Sequence, residues 1–280
     1  MHILQHCGPE AFAQTEMLAV CRACRSLLLC QTLNHRTFCF LQDDAWKSLP
    51  WQDTPKSFED RLMDIFIELP GIAEAAAKIE NRERCLERVI TLSAALGDWR
   101  RDWHAAHSDA VRRVSPMANG IGSCLEFDSP RLALDILYYN AALLYLMQLG
   151  AVARGQPALQ EMSAVTKESF APLHKKSVSQ KGPLLLPDEV QFRCQPAVEA
   201  LMTIPYITNA LSVTSGREMV VTPAPLGVVY SVLRSERQLL ADMDLSMPTS
   251  AIFQDAEKVL DGYSAFSAYS VGIKGESSWL

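Results

Sequence analysis

Residues 21–30 read C-R-A-C-R-S-L-L-L-C, from Cys21 to Cys30. Two cysteines with two residues between them, each followed by arginine, raise the question of a zinc module that grips nucleic acid. A zinc binuclear cluster needs six thiolates in two similar halves. Here Cys21, Cys24, Cys30 and Cys39 are followed by no second C-x-x-C pair; the next cysteine is Cys85. A four-thiolate structural site remains a formal possibility, since zinc accepts a tetrahedron of sulfurs. Against it, Met17, Cys21, Cys24 and Leu28 fall at spacings of four, three and four, one stripe of a helix running from about Gln14 to Leu33, with Val20 and Leu27 widening it. Cysteine on such a stripe behaves as a small buried hydrophobe. The reading is a packed helix with no metal.

Outward from this helix, the pattern stays helical. Asn34 to Gln52 forms a short irregular segment holding Phe38, Phe40, Trp46 and Trp51, broken at Pro50 and Pro55. A second helix is predicted from Ser57 to about Leu69, stopping where Pro70-Gly71 follow. A third covers about Glu83 to Ala106, with Leu86, Val89, Leu92, Leu96, Trp99 and Trp103 on adjoining positions of one face. The most apolar helix starts at Ser129-Pro130, where serine caps free amides and proline tolerates the first helical position. Leu132 to Leu149 is apolar nearly all round, but Asp135, Asn140 and Gln148 interrupt it, which suits the buried centre of a bundle better than a membrane span.

Between Gly155 and Pro187 the chain turns polar, a connection with one weaker helix where it could hinge. Helices are predicted again over about 188–213, 225–241 and 249–268, with Pro196 and Pro205 kinking or dividing the first, and Met219 to Thr222 as a short extended piece. The class is all-α, one large helical bundle or solenoid-like domain over residues 1–270, with a polar tail at 271–280.

Composition narrows the function. The chain has 280 residues and a formal charge of −6, with 26 Lys and Arg against 32 Asp and Glu. Its basic residues come in isolated pairs, Arg100-Arg101, Arg112-Arg113 and Lys175-Lys176. Phosphate neutralisation needs such residues clustered, so direct contact with nucleic acid by this chain alone is not expected. The eight cysteines lack the density of a disulfide scaffold and read as thiols in a reducing intracellular compartment.

Chemical motifs are sparse. Phosphate loops of the G-x-x-x-x-G-K and G-x-G-x-x-G types do not occur, nor does the nucleophile elbow G-x-S-x-G. No cofactor is expected. His104 and His107 with Asp102 read as a solvated helix end, and Asp60 and Asp64 as part of a polar outer face. One constellation carries a sharper hypothesis. Trp99, Trp103 and His104 on one helix, with Tyr138, Tyr139 and Asn140 on another, are the residue types that line a helical pocket for a flat, mostly apolar ligand. The competing reading has the indoles filling the core and Asn140 bonding a neighbouring backbone.

The order of segments resembles a known family. His2-Ile3-Leu4-Gln5-His6 followed by Gly8-Pro9-Glu10-Ala11-Phe12, then Cys24-Arg25-Ser26-Leu27-Leu28, Arg36-Thr37-Phe38 and Trp46-Lys47-Ser48-Leu49-Pro50-Trp51, looks like the fungal-specific transcription factor domain. Trp99 and Trp103, and Leu132-Ala133-Leu134 through Tyr139-Asn140, are similar to its later segments. That domain is the regulatory region C-terminal to the zinc cluster of many fungal regulators; the cluster itself has no counterpart here. The resemblance implies a nuclear or cytoplasmic regulatory domain that catalyses nothing by itself. Its partners would be proteins of the transcription machinery or a small apolar metabolite, with no membrane. The alternative is a standalone binding protein or non-redox isomerase or cyclase of a fungal secondary-metabolite pathway, with Trp103, Tyr139 and His104 the first residues to test.

Overall fold

The structure, a computed structural model, describes residues 2–114, 124–155, 182–190, 194–213 and 225–229. It is mostly α, with 79% of the described residues helical. The helices are α1 (His2–Cys7), α2 (Thr15–His35), α3 (Asp44–Ser48), α4 (Phe58–Phe66), α5 (Leu69–Ala76), α6 (Arg82–His107), α7 (Pro130–Ala153) and α8 (Cys194–Val213). Residues 225–229 are helical as well. The predicted helix over 249–268, the extended piece at Met219 to Thr222, the tail at 271–280 and most of the hinge segment lie outside the described residues.

Beside the helices stands one antiparallel ribbon that the helical reading did not include, β1 (Val111–Val114) and β2 (Cys124–Phe127), in register Val111↔Phe127 and Val114↔Cys124. Leu125 and Phe127 alternate inward and Phe127 meets Tyr206 of α8 at 5.6 Å, so the ribbon closes one side of the core. Asn119-Gly120, a hairpin dipeptide, stands between the two strands in sequence.

Proline explains a second correction. Pro70 does not end a helix. It occupies the first turn of α5, where its missing N–H costs nothing, the same logic that starts α7 at Pro130. Pro205 lies inside α8 without dividing it. The segment after α2 is less irregular than expected: tight turns at Phe40–Gln42 and Leu49–Trp51 flank α3.

Helix α7 is the axis of the larger core and packs against α4, α5, α6, α8 and β2. It is long and apolar enough to cross a membrane, yet 72% of its most apolar window is buried against these neighbours. Val89, Leu92, Leu96, Trp99 and Trp103 turn the predicted face of α6 onto it. A second, smaller core gathers Phe12, Leu18, Cys21, Leu28, Cys39, Phe40, Leu41, Trp46, Trp51 and Ile67. Cys21 therefore packs as the sequence stripe requires, 1% exposed. Val20 and Leu27 do not widen that stripe; they face solvent at 46% and 52% exposure.

Helix α2 turns its arginines inward instead. Arg22 donates from Nε and Nη2 to the two carboxylate oxygens of Asp60 at 2.9 and 2.7 Å. Arg25 and Lys56 both pair with Asp64, and the Arg25 guanidinium lies over the Trp51 ring, 4.6 Å from its centroid. Asp60 is thus 2% exposed and not on a polar outer face. It also closes a capping box with Ser57, each side chain accepting the other's backbone N–H at 3.0 and 3.1 Å.

Candidate functional site

The polar residues buried between α6, α7 and α8 form the most demanding chemistry among the described residues. Arg100 is fully buried on α6, and Glu199, 4% exposed, comes from α8. Arg100 Nη2 donates to Glu199 Oε1 at 2.7 Å, and Asn140 Nδ2 on α7 donates to the same oxygen at 3.0 Å. The other oxygen, Oε2, accepts the Leu185 N–H at 2.5 Å. Arg100 in turn donates from Nε and Nη2 to the Leu185 carbonyl at 3.1 and 2.9 Å. Leu185, which belongs to no helix or strand, is therefore held at both its backbone groups by one ion pair.

A buried ion pair loses hydration worth several kcal/mol per ion and persists only when its remaining hydrogen-bonding capacity is met. Both carboxylate oxygens meet it through three donors. The guanidinium leaves Nη1 without a hydrogen-bond partner. Its carbon lies 4.7 Å from the Tyr139 ring centroid and 5.8 Å from that of Trp103, so aromatic faces take part of the cation's field.

The aromatic residues predicted as a pocket divide between two faces of α7. Trp99 stacks on Tyr139 at 5.7 Å and on Trp103 at 6.3 Å, and its Nε1 donates to the Phe58 carbonyl at 2.8 Å. Tyr138, one position away on the helix, turns to the other side and meets Phe66 edge-on at 5.8 Å. Asn140 bonds a carboxylate, not the neighbouring backbone of the competing reading. Inserting a flat ligand between Trp99 and Tyr139 needs about 7 Å, two ring contacts of about 3.5 Å each, so the rings fill one another's faces instead.

His104 is half-buried, one helical turn beyond Arg100, and its Nδ1 has no hydrogen-bond partner. The ring of His107 lies between Phe58 and Trp103, at 5.3 and 5.2 Å, while Asp102 pairs with Arg61 at 3.0 Å. His107 and Asp102 thus face different partners, and neither is bonded to His104. Among the described residues no three His, Cys, Asp or Glu side chains gather as metal ligands would.

Asp135, 5% exposed on α7, accepts Trp103 Nε1–H at 3.0 Å. Burial pushes its carboxyl up to about 7, against the pull of that hydrogen bond. Burial likewise pushes the Tyr139 phenol up to about 12, so it stays neutral.

No family model, no curated protein and no solved structure matches this chain.

Sequence reasoning misses Arg100, Asp135 and Glu199 as site residues. The signals were there: Asp135 interrupts an apolar helix, and Glu199 stands alone in Ala197-Val198-Glu199-Ala200-Leu201. A lone carboxylate amid apolar neighbours implies a buried partner. Arg100 is hidden in the pair Arg100-Arg101, of which only Arg101 is exposed.

Proposed function

We propose that this chain is a regulatory domain of the fungal transcription-factor type, a single helical bundle that acts in the nucleus through protein contacts and a small apolar metabolite. The observation that carries the reading is where the resembling segments meet. Phe12, Leu28, Trp46 and Trp51, from three of the quoted segments, share the smaller core with Phe40 and Cys21. The signature is therefore a packing unit and not a scatter of surface residues. Arg22, Arg25 and Arg100 are each paired with a carboxylate, which agrees with a domain that leaves DNA contact to another module.

Tethering the chain to an unrelated DNA-binding domain tests this in a fungal reporter strain. A several-fold change in reporter output is expected. An unchanged reporter with the fusion folded and nuclear overturns the reading, as does tight binding of the chain alone to duplex DNA across a salt series.

One observation favours the alternative of an isomerase, cyclase or binding protein: Asp135 holds its proton near neutral pH, where acid–base catalysis works best. The mutual stacking of Trp99, Trp103 and Tyr139 weighs against it. Asp135→Asn separates the two, abolishing turnover under the alternative and sparing the reporter signal under the first.

A further inference from the structure

Helix α2 buries Leu18, Cys21, Leu28, Leu29 and Leu33, yet the side it turns outward is uncharged as well. Arg22 and Arg25 pair with Asp60 and Asp64, while on the opposite side Ala19, Val20, Leu27 and Gln31 are exposed and Ala23 and Cys30 are half-buried at its edge, Cys30 packing partly against the larger core. Val20 and Leu27 are 46% and 52% exposed. No charged side chain falls on this face between Glu16 and His35, in a chain whose formal charge is −6. Val20, Ala23, Leu27 and Cys30 follow one another at intervals of three, four and three, the seam a helix presents when another helix lies along it. Over 21 residues α2 is about 31 Å long, enough for a full helix–helix contact.

We propose that a second copy of this chain packs on this face, its α2 antiparallel to the first about a two-fold axis. The ends of the stripe select this occupant and direction. Glu16 is exposed at the N-terminal end, and His35 and Arg36 are exposed at the C-terminal end. An antiparallel copy brings each Glu16 to the other chain's basic end, whereas a parallel copy sets Glu16 against Glu16. Side-chain size agrees. Antiparallel pairing sets Leu27 opposite Ala23 and Val20 opposite Cys30, each twice, so large fills small. Parallel pairing sets Leu27 on Leu27 and Ala23 on Ala23. An uncharged stripe flanked by opposite charges is self-complementary, as an isologous interface must be. The helix dipoles also oppose favourably. This holds whether or not the domain regulates transcription.

Sedimentation equilibrium of the full chain tests it. The expected result is a dimer whose dissociation constant rises about 100-fold or more in Leu27→Glu, because the symmetric contact loses two buried leucines. Unchanged far-UV circular dichroism and Tm mark the loss as one of association. A chain that stays monomeric throughout, its stripe covered by its own residues or by another protein, overturns the proposal. So does a dimer indifferent to Leu27→Glu. Direction has its own readout in a Cys7→Ser, Cys24→Ser background. There Val20→Cys is expected to form an interchain disulfide with the partner's Cys30 on mild oxidation. Peptide mapping identifies the bond: position 20 joined to the partner's Cys30 is expected, and position 20 joined to position 20 or Cys30 joined to Cys30 overturns the antiparallel arrangement.

Discussion

Arg100 and Asn140, on different helices, donate to the same oxygen of Glu199, at 2.7 and 3.0 Å. That shared acceptor joins α6, α7 and α8 at one point, and the second oxygen ties Leu185 to it.

Truncating either charge strands the other in the core. Arg100→Met or Glu199→Leu is expected to cost about 3–5 kcal/mol, since an unpaired buried charge is left behind. The double variant is expected to recover much of that loss, because no charge remains uncompensated. Urea unfolding of the four proteins gives the cycle; additive single losses would contradict it.

Asp135 sets a pH dependence of opposite sign to that of an ordinary salt-bridged carboxylate. Its folded pKa, about 7, lies above the ordinary 3.8. Below 3.8 the group is protonated in both states and is silent. Between 3.8 and about 7 only the unfolded chain releases the proton, so stability falls as pH rises, by up to about 4 kcal/mol. Asp135→Asn keeps an acceptor for Trp103 and is expected to be the more stable protein at pH 8. Urea titrations at pH 4, 6 and 8 check it: a wild-type curve parallel to that of Asp135→Asn would refute the assignment.

Asp60 behaves the other way. Burial would raise its pKa, but the Arg22 hydrogen bonds and the Ser57 groups outweigh burial and hold it below the carboxylate range. Its stabilising effect is present at neutral pH and is lost as pH falls through that lowered value. Asp60→Ala is expected to cost about 2–3 kcal/mol, with Arg22 partly solvated and the cap broken, and Ser57→Ala about 1 kcal/mol. Thermal unfolding at pH 7 and at successively lower pH is the measurement, with the gap between Asp60→Ala and wild type narrowing as the pH falls through the lowered value.

Sulfur reactivity follows burial. Burial pushes the Cys21 thiol up to about 11 and raises Cys39 and Cys85 as well, while Cys7 is exposed. A colourless aromatic disulfide reagent at pH 8 is expected to modify Cys7 at once and these three only after guanidinium unfolding. Rapid labelling of Cys21 in the native protein would contradict the packing described.

Much of the fold is legible in the sequence because periodicity reports burial directly. The stripe from Val89 to Trp103 and the Ser129-Pro130 start mark α6 and α7 to within a few residues. Pro70 misleads because a proline that ends one helix and one that begins the next are the same letter. The ribbon at Val111–Val114 escapes because its strands have four residues, too few for alternation to stand out. The site is less legible still. Trp99, Trp103, Tyr139 and Asn140 are recognisable as inward residues, but Asn140 meets Glu199 across 59 positions and Arg100 meets it across 99. No local pattern encodes a pairing that distant.

The inward arginines of α2 impose an order of assembly. Among the described residues Arg22 and Arg25 find their acceptors on Asp60 and Asp64, and those stand on adjacent turns of α4 only once that helix has formed. Docking α2 earlier would desolvate two cations against an unstructured segment. Late docking of α2 is the expected order: substitutions at Arg22 would then speed unfolding and leave the refolding rate alone, which stopped-flow folding kinetics of Arg22→Ala check.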